Sequence, residues 1–427
     1  MTGNLGAAPR WLSALRLALV AVVVLMVTVP RGLSQSSQPF FLVAAGVAVA
    51  LLAVPPLAVP GARWRVPWPA VAFLAWCALS VLWSTAARTS LTFTLFTAFV
   101  ALLALTVAAR ASHAGIVRGV AAALVVALGW SLLYRAAGGE RAYRLDDALT
   151  PMFQGIYDNW NILGYTIVLL LPGLLALRPR RWPGHAAQVA VVGVAFVVLV
   201  MARSATSLIG ACVLVAAALG IRLVGAVQVH QTPARGRRTW RRLGLVACAL
   251  VALAVVAVTR IVSHLGKDLT TLSGRTELWG AIGTVGSEEP WTGFGWGAVW
   301  RYHWLRTPRN EHYTAVNDLI RWPLVHGHNT FFDIAIQLGA VGAALAAVAL
   351  VVLVYRSVMS LALGVTRLGT WSALTALALV VVGITEPIVS TPVGWFLLVL
   401  ALLVTPHVAP RTRALARSRT PDRDHDD

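Results

Sequence analysis

Of 427 residues, 58% are hydrophobic and only 12% charged, about half the charge of an ordinary soluble domain. Apolar runs of roughly 20 residues recur without alternating polar and apolar positions, which excludes a soluble globular chain and argues against a β-barrel. The net charge of +19 would suit nucleic acid, but basic residues in a membrane protein record the orientation of its loops, so no nucleic-acid partner is expected.

Twelve runs read as transmembrane helices, at about 11–30, 39–60, 66–83, 90–109, 114–134, 160–177, 186–202, 204–224, 243–263, 329–354, 370–386 and 392–407. They predict an all-α polytopic membrane protein with one membrane domain over 1–427. The large connection at 264–328, between the ninth and tenth helices, is the longest polar interval. The first run has a basic flank at Arg10 but no small-residue cleavage site before Arg31, so it reads as a retained helix. Pro55-Pro56 predicts a kink or early end in the second. Cys77, Cys212 and Cys248 lie inside apolar runs and form neither a disulfide framework nor a metal site. The tail at 408–427 alternates charges and predicts disorder.

Basic residues set the orientation. With the N-terminus cytoplasmic, inner segments hold 21 Lys and Arg against 6 in the short outer loops. Inner loops before the tail hold no Asp or Glu. Both termini are then cytoplasmic, and the connections 135–159 and 264–328 face outward. The arginines from Arg235 to Arg242 are expected to meet anionic membrane lipids. A phosphate-binding glycine loop followed by Lys-Ser/Thr is missing, which argues against an ATP-driven pump.

Several polar residues at the outer ends need a reason. Asn159 and Asn161 open the sixth helix, where they could cap it or bind a sugar or phosphate. Arg203 sits in a very short turn beside Ser204, Thr206 and Ser207. It could reach the interface harmlessly or grip an anion bidentately. From Arg275, the residues Leu278, Trp279, Ile282 and Val285 share one helical face, predicting an amphipathic helix on the membrane surface. A cation at its N-terminus opposes the helix dipole, so Arg275 suits an anion ligand better than a structural role. Trp279, Trp291, Trp296, Trp300, Trp304 and Trp322 follow as interfacial anchors, with sugar stacking open to some. Thr330 to Asp333 fits a capping box, which puts His328 just before the tenth helix. A neutral imidazole there could act as a general base; a surface histidine near a cap is the plain alternative. The spacing of His303, His312 and His326 matches no common metal-ligand pattern. Asn161, Arg203, Arg275 and His328 converge on the outer face, as two arginines and a base for a dianionic leaving group and a hydroxyl nucleophile.

These residues resemble the bacterial O-antigen ligase/polymerase family. The family's closing motif, His-Asn, nine residues, then Gly-x-x-Gly, is matched by His328-Asn329, Thr330 to Leu338, and Gly339-Ala340-Val341-Gly342. Arg275-Thr276-Glu277-Leu278, Pro290-Trp291-Thr292-Gly293-Phe294-Gly295, Asn161-Ile162-Leu163-Gly164 and Arg203-Ser204 are similar to its other elements, in order. The resemblance covers about 140–345. It implies a GT-C-like membrane glycosyltransferase of the bacterial cytoplasmic membrane, inverting, without cofactor or metal. The donor would be a glycan on a polyprenyl diphosphate, and the acceptor a lipid or glycan hydroxyl. His328 would be the general base and Arg203 and Arg275 the diphosphate ligands, with Asn159, Asn161, Asn329 and Ser204 as further substrate contacts. A polymerase of the same family is the alternative. A secondary transporter would need internal repeats, which are not evident. A peptidoglycan-type transferase would use a carboxylate such as Asp158 or Glu277.

Overall fold

The computed structural model describes residues 10–28, 38–53, 66–145, 149–228, 274–301, 310–321 and 323–406. The expected helix at 243–263, the arginines 235–242, the Pro55-Pro56 kink and the tail lie outside these residues. So do Ser273, Cys248, His303, Trp304 and Trp322.

The described chain is mostly helical. The helices are α1 (Arg10–Thr28), α2 (Gln38–Ala53), α3 (Trp68–Leu79), α4 (Ala87–Arg110), α5 (His113–Ala136), α6 (Trp160–Leu175), α7 (Trp182–Met201), α8 (Ala205–Gln228), α9 (Arg275–Gly286), α10 (Glu311–Asp318), α11 (Thr330–Leu363), α12 (Arg367–Gly383) and α13 (Pro392–Val404). Six of them are long and apolar enough to cross a membrane: α1, α4, α5, α7, α8 and α11. A short antiparallel hairpin, β1 (Tyr143–Leu145) with β2 (Pro151–Phe153), interrupts the 135–159 connection. The all-α expectation did not include it.

Among the described residues, two helices are buried on nearly all sides. Every residue of α6 from Leu163 to Leu175 is buried, as is every residue of α13. A helix apolar on all sides belongs inside a bundle. α13 packs along α4, and α12 packs against α6, α8 and α11. Lipid tails are as apolar as leucine, so close packing rather than escape from water holds these helices together. The outer helices carry the complement. Leu95 of α4, Val189 and Val197 of α7, and Val351 and Val358 of α11 are all more than half exposed. Apolar rows of that kind belong in lipid.

α11 departs from the expected continuous helix. Gly339 has φ +65 and ψ −171, so the helix breaks there. The freed carbonyls find partners outside the helix. Ile336 O accepts from Phe294 N (3.2 Å), Gln337 O from Gly295 N (2.8 Å) and Leu338 O from Trp76 Nε1 (3.0 Å). Beyond the break, Ala340 N donates to Pro290 O (2.8 Å). The glycine-rich segment 290–297 is therefore docked into the broken helix, where it and Trp76 satisfy the carbonyls of Ile336, Gln337 and Leu338. A Cβ on Gly339 would collide with the Trp291 carbonyl.

The 274–329 region has its own small core. Leu278, Ile282 and Val285 of α9 pack with Phe294, Val299, Trp300, Tyr313, Val316 and Ile336. The amphipathic helix is present, but its apolar face meets protein, not the membrane surface. The tryptophans also divide differently from expectation. Trp296 and Trp300 are fully buried. Trp296 donates from Nε1 to Thr97 Oγ1 and from its backbone to Ser80 Oγ, both at 3.0 Å. Among the described ones, Trp291 is exposed and Trp279 is half-buried.

Candidate active site

His328 lies in the turn that leads into α11. Asn329, not Thr330, is the N-cap: its Oδ1 accepts from Phe331 N (2.8 Å) and Phe332 N (3.2 Å). Its amide nitrogen donates to Ile384 O (2.8 Å). Thr330 is freed for another task. Its hydroxyl donates to Glu386 O and accepts from Ile388 N, both at 3.0 Å. Asp333 is fully buried and reaches back to the turn, accepting from Gly327 N (2.8 Å), Ser390 Oγ (2.6 Å) and Gln337 Nε2 (3.1 Å). Trp279 Nε1 donates to Gly327 O (3.0 Å). Gly327 is thus held from both sides.

That grip matters because His328 has φ +46, in the left-handed region. A side chain there costs about 1–2 kcal/mol. Such strain persists only where the surroundings over-determine the backbone, as they do at active sites. Among the described residues, only Leu149, Arg203 and His328 are non-glycine residues with positive φ. Two of the three are residues singled out from the sequence for chemistry.

The turn faces Glu386, which follows α12 and precedes a short helical turn, Ile388–Ser390. Glu386 is 4% exposed. Arg275 Nη2 lies 3.0 Å from its Oε1, and His328 Nδ1 lies 3.6 Å from the same oxygen. The second distance is too long for a hydrogen bond. His326 completes the cluster, with its ring centroid 3.9 Å from that of His328. Burial pushes the Glu386 carboxyl up, but its interactions with His328, His326 and Arg275 outweigh it and hold Glu386 below the usual carboxylate range. Burial, then His328, lowers His326 to about 3.

The second group of residues lies where α6 meets the α7–α8 turn. Asn159 caps α6, with Oδ1 accepting from Asn161 N (2.7 Å). Ser204 Oγ contacts Asn161 Oδ1 (3.3 Å) and Ser207 Oγ (2.9 Å). A Cβ on Gly164 would strike Ser207, so the glycine lets the two helices close. Arg203 precedes Ser204 in that turn. Tyr165, one turn along α6, is within electrostatic reach of Glu386.

The two groups thus form in different ways. Arg275, His326, His328 and Glu386 gather around one oxygen. Asn161 and Ser204 meet each other, while Asn159 and Asn329 spend their side-chain oxygens on helix caps. The sequence assigns Glu386 no role and Asp333 only a place in the capping box, not at the site. The available signal was slight: they are the last two carboxylates before the tail, both at the expected outer end.

His326, His328 and Glu386 each offer a ligand atom within 4.8 Å of the others. That set differs from the His303, His312 and His326 grouping weighed from the sequence; His312 instead stacks on Phe294 at 3.7 Å. Three ligands would suit a zinc-like ion. Against it, the Arg275 guanidinium already occupies the Glu386 oxygen, and a cation would have to displace it.

Fold and site together define a multi-pass helical membrane protein with an arginine–histidine–carboxylate cluster at one end of its bundle. Residues 189–347 match the family model for O-antigen ligase. That stretch of the chain is similar to the O-antigen ligase family. The matched stretch contains Arg203, Arg275, His328 and the Gly339 break, while Asn161 and Glu386 lie outside it. The chain is also 25% identical over 296 residues to the exopolysaccharide production protein ExoQ of Rhizobium meliloti (strain 1021). That alignment covers 66% of this chain and 62% of the relative, so the chain spans less than two thirds of that protein.

Proposed function

We propose that the protein is a glycosyltransferase that moves a glycan from a polyprenyl diphosphate carrier to a hydroxyl of a lipid or glycan acceptor. The site faces outward across the bacterial cytoplasmic membrane, in the orientation read from the charge count. The observation that carries this reading is the pairing of Arg275 and His328 on one buried carboxylate oxygen.

His328 Nδ1 faces Glu386, which leaves Nε2 to accept a proton. In the proposed step, Nε2 takes the acceptor hydroxyl proton as the oxygen attacks the anomeric carbon. The bond from that carbon to the diphosphate oxygen breaks, and the carrier leaves with the electron pair. A single displacement inverts the anomeric centre. Arg275, with Arg203 from the α7–α8 turn, offsets the charge that grows on the diphosphate. Glu386 orients Arg275 through its hydrogen bond and faces His328 Nδ1 as a neighbouring charge. The step needs no metal, because guanidinium groups supply the positive charge, and transfer should persist in a chelator.

His328→Ala is the first test. Transfer from a lipid-linked donor should fall by about 100-fold or more, with folding in membranes unchanged. Near-normal transfer would sink the mechanism. The match to an exopolysaccharide production protein favours a second reading, in which the acceptor is the growing glycan and the protein is a polymerase. Single repeat units accumulating on the carrier after deletion of the gene would identify a polymerase; long unlinked chains would identify a ligase.

A further inference from the structure

We propose that the bundle end opposite the Arg275–His328 cluster binds a two-phosphate lipid headgroup of the cardiolipin type. It would sit in a cleft between α5, the α6–α7 connection and α12. This inference does not depend on the transfer reaction.

The cleft is about 490 Å³ and is lined by Arg118, Arg178, Arg180, Arg181 and Arg367. A neighbouring cavity of about 580 Å³ shares Arg178 and adds Arg222 and His185. These arginines come from four separate parts of the chain. No Asp or Glu occurs at 110–118, 176–185 or 364–367. Among the described residues, no carboxylate pairs with Arg118, Arg178, Arg180 or Arg181. The crowding has an electrostatic signature: burial, then the charges of Arg222 and Arg367, pulls Arg178 below the usual guanidinium range. Like charges gathered without a counter-charge are stabilised when an anion enters.

The cleft has a fixed frame. Arg222 Nη2 donates to Leu175 O, Leu177 O and Gln188 Oε1, each at 3.2 Å. Gln188 Nε2 donates to Leu174 O (2.6 Å). α7 and α8 are thereby tied to the C-terminal carbonyls of α6. Arg367 Nη2 reaches Arg178 O (3.3 Å), joining α12 to the same corner. The remaining guanidinium groups are presented on that frame.

Two features favour a lipid over a soluble anion. Trp182, next to Arg181, is 78% exposed. An exposed tryptophan at a bundle end marks the headgroup layer. Val189, two turns along α7, is 71% exposed and belongs among acyl chains. Basic pockets between helices at this level suit doubly charged headgroups, and five guanidinium groups exceed what one phosphodiester can neutralise.

The test uses the full chain in detergent, with retained lipid read by native mass spectrometry. Cardiolipin, phosphatidylglycerol and phosphatidylcholine are offered in turn. Cardiolipin should be retained best and phosphatidylcholine least. Arg118→Gln with Arg180→Gln should weaken cardiolipin retention about tenfold or more. Both side chains are exposed, so the fold should survive. Arg411→Gln with Arg413→Gln removes the same charge from the tail and should change nothing. Equal loss in both pairs, or no preference among lipids, would overturn the site. Inorganic diphosphate that binds the wild type while lipid does not would assign a soluble phosphate ligand and overturn the lipid.

Discussion

Glu386 presents one oxygen to a guanidinium and an imidazole, and a second imidazole lies just behind. Arg275→Lys would keep a charge beside Glu386 but lose the planar fork that can grip carboxylate and diphosphate together. Donor KM should rise by about tenfold, a typical cost for one charge-assisted hydrogen bond; unchanged donor affinity would remove Arg275 from the diphosphate site. Acid should loosen the cluster. The folded His326 titrates near 3, against 6.5 for an ordinary histidine. Between those values the unfolded chain binds more protons, so stability declines as pH falls from 6.5 toward 3. Glu386, held below its usual range, acts in the same direction: its contribution is present above the ordinary carboxylate value and is lost as pH falls through the folded one. Thermal unfolding from pH 7.5 to 4.5 should show a falling Tm, with a shallower fall in His326→Gln. Parallel curves would mean that His326 does not drive the loss. Arg275 and His328 were legible in the sequence because each sits at a recognisable helix start. Glu386 was not, because its partners lie 58 and 111 residues away and no local spacing announces a long-range ion pair.

At the scale of elements, helices occupy the expected apolar runs among the described residues, and six are long and apolar enough to cross a membrane, fewer than the twelve expected. The runs did not reveal the break in α11. Gly339-Ala340-Val341-Gly342 sits inside an uninterrupted apolar run, and only the docked 290–297 segment shows why a glycine with φ +65 is needed there. The same limit applies to the tryptophans: Trp296 and Trp291 belong to one glycine-rich stretch, yet one is core and the other exposed. Gly339→Ala tests the break. The substitution combines an unfavourable backbone with a clash against Trp291, and should cost about 2 kcal/mol or more. Amide exchange at Gly295 and Ala340, which donate across the break, should accelerate before exchange elsewhere in α11. Uniform acceleration along the helix would mean that the break is not an independent joint.

Among the described residues, an apolar helical bundle is joined to a small packed unit built from 274–301, 310–321 and 323–329, and the joints differ in kind. One is apolar: Trp296 sits among Phe73 and Phe93, with ring centroids 5.5 and 5.1 Å away. One is polar: the Arg275–Glu386 pair, buried at 5% exposure on the carboxylate side. Trp296→Ala should empty a core site and cost about 3–5 kcal/mol, lowering the stability of bundle and unit together. Glu386→Ala should act differently. It leaves Arg275 without its carboxylate at the N-terminus of α9, where a cation is disfavoured by the helix dipole, while the unit's own core of Leu278, Ile282, Trp300 and Val316 remains. Exchange should therefore rise at the start of α9 and in the 326–328 turn, while α6 and α13 stay protected. Loss of protection throughout the bundle in Glu386→Ala would show that the carboxylate supports the fold as a whole. Protection lost only around Arg275 and His328, with transfer abolished, would identify Glu386 as the group that holds the proposed base and the proposed diphosphate ligand in register.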